Sequence, residues 1–269
     1  MKILILGFPR TGTTVLYTWL RARLRNHIAV FEPMNPEQVV LHAVRNRSLH
    51  DVIGEVDSDF HRLPLDTKFL IAVNSHWYYD WLLSERPGAP WCGWYWEDIL
   101  ERLDTWRLQI LLKDVCLWTE IDQIADRYRH ATILVTVRDP DSVLDSLRHW
   151  HTPRRTLRDM ATKLTQTAPG TLMCKILKQI CAEKPTPALK IAKIYGKKLG
   201  ASPPAPPYTW RRLRRTLEET YNRYLQHIEE RANKKNIKII KYRDKLTPDI
   251  AKDILREMKK EIPKKKAGT

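Results

Sequence analysis

The stretch that most restricts the fold is KILILGFPRTGTT, Lys2 to Thr14. Its apolar run, Ile3 to Leu6, has the length and unbroken apolar character of a strand buried on both faces. Gly7 to Gly12 then make a tight loop. Leu16, Leu20 and Leu24 follow at i, i+4 and i+8, with Tyr17 and Trp19 beside them, which predicts a helix. A strand, a glycine-bounded loop and a helix in that order leave backbone N–H groups at a helix N-terminus, where the dipole also favours anions. A bare glycine turn is the bland alternative, and phosphate binding is favoured over it.

Four more short apolar runs read as strands: Ile28–Phe31, Gln109–Lys113, Ala131–Val137 and Ile237–Tyr242. Helical patterns lie between and after them, at Glu37–Arg45, Glu120–Arg129 and Trp210–Ala232, with one from Pro140 towards Trp150 and a last one from Pro248. Asp139-Pro140 and Thr247-Pro248 each place a capping residue before a proline suited to the first helical position. Strands alternating with helices predict an α/β fold with a parallel sheet of about five strands. Residues 151–208 hold helical patterns (Thr156–Gln166, Thr171–Ala182, Ala188–Lys198), no strand, and the stiff run Ser202–Pro207; they are expected to form a helical lid or insertion. A chain of 269 residues accommodates this as one domain, residues 1–269. Parallel sheets bind ligands beyond the carboxyl ends of their strands. Gly7–Thr14, Glu32, Asp114 and Arg138 each follow such an end.

Two motifs carry a family resemblance. Gly7 and Gly12 keep the spacing of a Walker A loop and Thr14 holds its Ser/Thr position, but Thr13 stands where the lysine belongs and the cation has moved to Arg10. This loop resembles the 5′-phosphosulfate loop of the sulfotransferase family. The segment VTVRDPDSVLDSL resembles the family's 3′-phosphate motif, with Arg138 at the strand end and Ser146 eight residues later on the helix. Arginine forks onto phosphate, and Ser146 lies two turns into the helix near the face of Ser142. Glu32-Pro33 is similar to the Glu-Pro step of carbohydrate-type and tyrosylprotein-type members, and LLKD and IIKYRDKL are partial matches. The resemblance covers roughly residues 1–34, 108–150 and 210–260.

The resemblance implies a P-loop-type sheet and the donor 3′-phosphoadenosine-5′-phosphosulfate (PAPS), with PAP as product and no metal. Pro9, Arg10, Thr11, Gly12, Thr13 and Thr14 would hold the 5′-phosphosulfate, and Arg138 and Ser146 the 3′-phosphate. Departures are visible. Arg10 replaces the lysine of cytosolic members, and Val15 stands where an aromatic often follows. Lys113-Asp114-Val115 replaces their Lys-Thr-His, so that histidine is missing. Their late Arg-Lys-Gly is absent too, with Arg154, Arg155 and Arg158 as candidate substitutes.

The expected reaction is in-line sulfuryl transfer to an acceptor hydroxyl or amine. Arg10 would stabilise developing charge. Glu32 is the candidate general base, its bland reading being a solvated strand-end carboxylate. Asp114 is the reserve base, and His76 and His149 are weaker options. The Glu-Pro step and the aromatic-rich stretch Thr67–Trp106 point to a glycan or glycolipid acceptor.

A net charge of +16 suits an anionic ligand. It also suits nucleic acid, but no helix-turn-helix, zinc or RNP pattern is present, and nucleic acid is disfavoured. Two alternatives stand beside the sulfotransferase reading. A P-loop nucleotide kinase would need a lysine at Thr13 and a magnesium-binding carboxylate, for which Asp114 could serve. A basic protein that binds nucleotide or nucleic acid without catalysis is the other. Cys92, Cys116, Cys174 and Cys181 form no C-x-x-C pair and read as free thiols in a reducing compartment. The first residues are too short and too polar an apolar run for a signal peptide or anchor, so a cytoplasmic location is expected.

Overall fold

The computed structural model describes residues 2–34, 59, 62–71, 73–74, 95–105, 109–148, 166, 187–204, 209–242 and 247–261. The helix expected at Glu37–Arg45, most of the aromatic stretch after 74, His76, His149, Arg154, Arg155, Arg158 and three of the four cysteines lie outside them.

Five strands form one all-parallel sheet in the order β2-β3-β1-β4-β5. They are β1 (Lys2–Gly7), β2 (Ile28–Phe31), β3 (Ile110–Asp114), β4 (Ala131–Arg138) and β5 (Ile237–Tyr242). Each lies where an apolar run predicted it, within a residue or so. The described residues include the helices α1 (Thr13–Arg23), α2 (Trp96–Thr105), α3 (Ile121–Arg127), α4 (Pro140–Arg148), α5 (Pro187–Leu199), α6 (Trp210–Glu229) and α7 (Pro248–Glu261). A 3-10 turn, Leu117–Glu120, precedes α3, so the predicted helix from Glu120 starts one residue later as α-helix. Asp139 caps α4 as expected, its Oδ2 accepting the Ser142 N–H at 3.0 Å.

Side chains alternate across the sheet. Ile3, Ile5, Ala29, Phe31, Leu111 and Leu134 pack with Leu16, Tyr17 and Leu20 of α1 and Ile254 of α7 on one face. Leu4, Leu6, Val30, Leu112, Ile133 and Val135 pack on the other face with α2, α3, α4, α5 and α6. α1 therefore leaves β1 towards one face and α4 leaves β4 towards the opposite one. β1 and β4 are neighbours, so these diverging exits open a crevice beyond their carboxyl ends.

α5 falls within the segment expected as a lid or insertion. Its Ala188, Leu189, Ile191, Ala192 and Tyr195 are buried in the main core, packed with α6. Below the crevice an aromatic cluster joins four elements. Phe8, just after β1, has its ring 5.2–5.4 Å from those of Tyr195, Tyr221 and Tyr224, and Trp118 stands edge-on to Tyr224 at 4.9 Å. These contacts add to the apolar burial that holds α5 and α6 to the sheet.

Leu217 is fully buried on α6, whereas Glu218 beside it is exposed. Leu217→Ala should lower the unfolding free energy by about 2–5 kcal/mol, and Glu218→Ala by less than about 0.5 kcal/mol, read from urea denaturation midpoints.

Candidate active site

The strand ends present their polar residues in sheet order: Glu32 after β2, Lys113 and Asp114 on β3, the loop after β1, and Arg138 on β4. The loop lies hard against β4. A Cβ on Gly7 would come within 2.6 Å of Thr136 Oγ1 and 2.8 Å of Thr11 Oγ1, so only glycine allows this approach. Thr11 is buried, its hydroxyl donating to the Phe8 carbonyl at 2.6 Å and lying 2.8 Å from the Thr136 hydroxyl. Its backbone N–H also donates to Phe8 O, at 3.2 Å. Both donors of Thr11 are thus turned inward, where they fasten the loop to β4. Pro9 and Thr13 are buried as well, and Thr14 is half-buried.

Gly12 is the N-cap of α1 in a left-handed conformation, φ 79°. No side chain caps this end and no acidic residue sits in its first turn. The first-turn N–H groups therefore keep the positive end of the dipole available to an anion. Arg10 also has a left-handed backbone, φ 74°, an unfavourable conformation for a non-glycine residue and one that gathers at functional sites. Its exposed side chain reaches across the crevice, and Nε donates to Ser146 Oγ at 2.6 Å. The two sequence motifs, 136 residues apart, thus meet side chain to side chain.

Arg138 ends β4. Its N–H donates to the Tyr221 hydroxyl at 3.1 Å, and that hydroxyl donates to the Arg138 carbonyl at 2.7 Å. Its guanidinium carbon lies 6.0 Å from the centre of the Tyr242 ring.

On the other side of the loop is a buried ion pair that the sequence reading did not assign. Lys113, with a side chain 1% exposed, pairs its Nζ with Glu32 Oε1 and sits 4.4 Å from the centre of the Phe31 ring. Glu32 is buried, has φ 46°, and its backbone N–H extends the ladder to Lys113 O at 2.6 Å. Burial pulls the Lys113 ammonium down to about 7; the charges of Asp114 and Cys116 oppose the fall, and that of Arg10 adds to it. Asp114 is fully buried. Oδ1 accepts the N–H groups of Cys116 at 2.6 Å and Leu117 at 3.3 Å, and Oδ2 accepts that of Met34 at 2.9 Å. Burial pushes its carboxyl up, against these hydrogen bonds and the Lys113 charge. Asp114 organises the turns that follow β2 and β3, whereas Glu32 is ion-paired with Lys113.

A lysine inside a run otherwise buried on both faces was the available signal for this pair, since such a charge must find a counter-ion. Among the described residues no group of three or more His, Cys, Asp or Glu is arranged to hold a metal, and no helix is long and apolar enough to cross a membrane.

Comparison with known proteins gives one family. A family model described as "Sulfotransferase family" matches residues 2–205. No curated protein matches. Among solved structures, the full-length tRNA isopentenylpyrophosphate transferase of Bacillus halodurans aligns with 96% of this chain and 95% of its own at 12% identity. The TM-score is 0.37, too low to inform either fold or function.

The Lys113 titration has a definite sign. Its folded value, about 7, lies below the ordinary 10.5, so between these the unfolded chain binds more protons and stability rises with pH. In Lys113→Met, Glu32 loses its cation and becomes costlier to ionise, which moves the difference the same way. Urea unfolding between pH 7 and about 9 should show wild type gaining stability relative to Lys113→Met; a pH-independent difference would mean that Lys113 keeps its ammonium throughout this range.

Proposed function

The chain belongs to the sulfotransferase family, and from that premise we propose that it transfers the sulfuryl group of PAPS to an acceptor hydroxyl, with a glycan or glycolipid as the acceptor class. Membership alone makes it a transferase. The observation that carries the finer reading is the hydrogen bond from Arg10 to Ser146. It brings the phosphosulfate-type loop and the Arg138–Ser146 motif to one crevice, as a donor with anions at both ends requires.

The residues fit such a donor. The uncapped N-terminus of α1 with Arg10, and Arg138 with Ser146, are two cationic or N–H-rich subsites flanking the β1–β4 crevice. PAPS would supply an activated sulfuryl group and a phosphate leaving group. The N–H groups of Gly12 to Thr14 would hold its 5′ end, each charge-assisted hydrogen bond contributing about 1.5–3 kcal/mol. Arg10 would face the charge that develops during transfer. Arg138 and Ser146 would bind the 3′-phosphate.

Glu32 takes the acceptor proton in this reading, and Asp114 does not, because both Asp114 oxygens already accept backbone N–H groups. Lys113 holds the Glu32 carboxylate in place. The acceptor class rests on the Glu32-Pro33 step and on the aromatic content of residues 67–106. The chemistry calls for no metal. A cytoplasmic, reducing setting fits the cysteine spacing, which holds no C-x-x-C pair.

Calorimetry tests the donor: PAP should bind more tightly than ATP, with magnesium making no difference. Tighter magnesium-dependent binding of ATP would instead indicate a nucleotide kinase. Glu32→Gln should cut turnover by about 10²–10⁴-fold while retaining PAP binding, and near-normal turnover would remove Glu32 from the mechanism.

A further inference from the structure

α6 and β5 begin beyond the residues that the family model matches. Both nevertheless reach the strand end that carries Arg138. The Tyr221 hydroxyl accepts from Arg138 N–H and donates to Arg138 C=O, so one group spends its donor and an acceptor on both sides of one residue. Strand ends lack the continuing ladder that holds a strand's middle, and this pair of hydrogen bonds supplies the missing restraint on the Arg138 peptide. The hydroxyl is itself held rigidly. Tyr221 is fully buried, stacked on Tyr224 at 5.5 Å and edge-on to Phe8 at 5.2 Å. Phe8 belongs to the phosphate loop, so the ring that fixes Arg138 also rests on the loop. From β5, Tyr242 is the register partner of Arg138 and sets its ring 6.0 Å from the guanidinium carbon, at the edge of cation–π range.

We propose that Tyr221 and Tyr242 are positioning residues for donor recognition: Tyr221 sets the Arg138 backbone at a fixed distance from the phosphate loop, and Tyr242 steers its guanidinium towards a 3′-phosphate. The inference rests on the reading of Arg138 as the 3′-phosphate residue. It makes the segment after residue 205 a component of donor specificity as well as of the core. Tyr221→Phe keeps the aromatic packing and removes only the hydroxyl. Tyr242→Leu removes the ring from a half-buried edge-strand position.

The test is calorimetric binding of PAP and of AMP, which lacks the 3′-phosphate, to wild type, Tyr221→Phe, Tyr242→Leu and Arg138→Ala. Loss of positioning should lower PAP affinity about tenfold, the worth of one good hydrogen bond, while AMP affinity changes by less than about twofold. General structural damage would weaken both ligands alike and leave their ratio unchanged. A wild-type ratio in Tyr221→Phe or Tyr242→Leu, with the ratio collapsed in Arg138→Ala, overturns the positioning role of that tyrosine and leaves the site reading intact. A wild-type ratio in Arg138→Ala overturns the reading of Arg138 itself. If Tyr221→Phe does not fold, Tyr242→Leu decides by the same criterion.

Discussion

The loop after β1 can lie against β4 only because Gly7 carries no side chain. The hydroxyls of Thr11 and Thr136 meet at 2.8 Å in the space a Cβ would invade. From that approach the rest of the site follows. The turn through Pro9 and Arg10 is compressed into left-handed backbone at Arg10 and Gly12. The N-terminus of α1 is aimed over the crevice, and Arg10 is carried within reach of Ser146. A looser loop would separate Arg10 from Ser146.

A second constraint is electrostatic. Burying Glu32 and Lys113 together costs desolvation that their attraction repays only if both charges are well met. The site meets this with the Phe31 ring beside the ammonium and with the carboxylate of Asp114 nearby. Asp114 has its own charge met by three backbone N–H groups. Two neighbouring carboxylates at adjacent strand ends therefore have separate tasks: one shapes the turns and the other balances the buried charge of Lys113. The hydrogen-bond partners of each carboxylate determine which task it takes.

Much of this was legible in the residue pattern. The five apolar runs marked the strands because a strand buried on both faces has no other composition available to it. Asp139-Pro140 marked the start of α4 because capping is a local interaction. Other features were not legible. Tyr221 and Tyr224 lie on the helix expected at Trp210–Ala232 and are buried in the core, but helical spacing says nothing of where a hydroxyl ends. The Tyr224 hydroxyl donates to Thr136 O at 2.9 Å and that of Tyr195 to Val115 O at 2.6 Å, contacts that span 88 and 80 residues. Thr11 looked like one more loop hydroxyl, yet its donors face the interior. α5 sits in a stretch of sequence with no strand pattern, and its partners in the core include α6, Phe8 and Trp118.

By itself the sequence determined the element types, the parallel α/β class and the presence of a glycine-bounded loop between β1 and α1, because periodicity, capping and glycine spacing act over a few residues. It also placed Arg138 and Ser146 on one strand–helix unit. Only the tertiary structure decided that Arg10 meets Ser146, that Glu32 shares a buried pair with Lys113 while Asp114 is bound to backbone, and that α6 and β5 brace Arg138. Those contacts join residues far apart in the chain. Strand order and the divergence of α1 and α4 at the β1–β4 crevice settle them, and no local pattern encodes strand order.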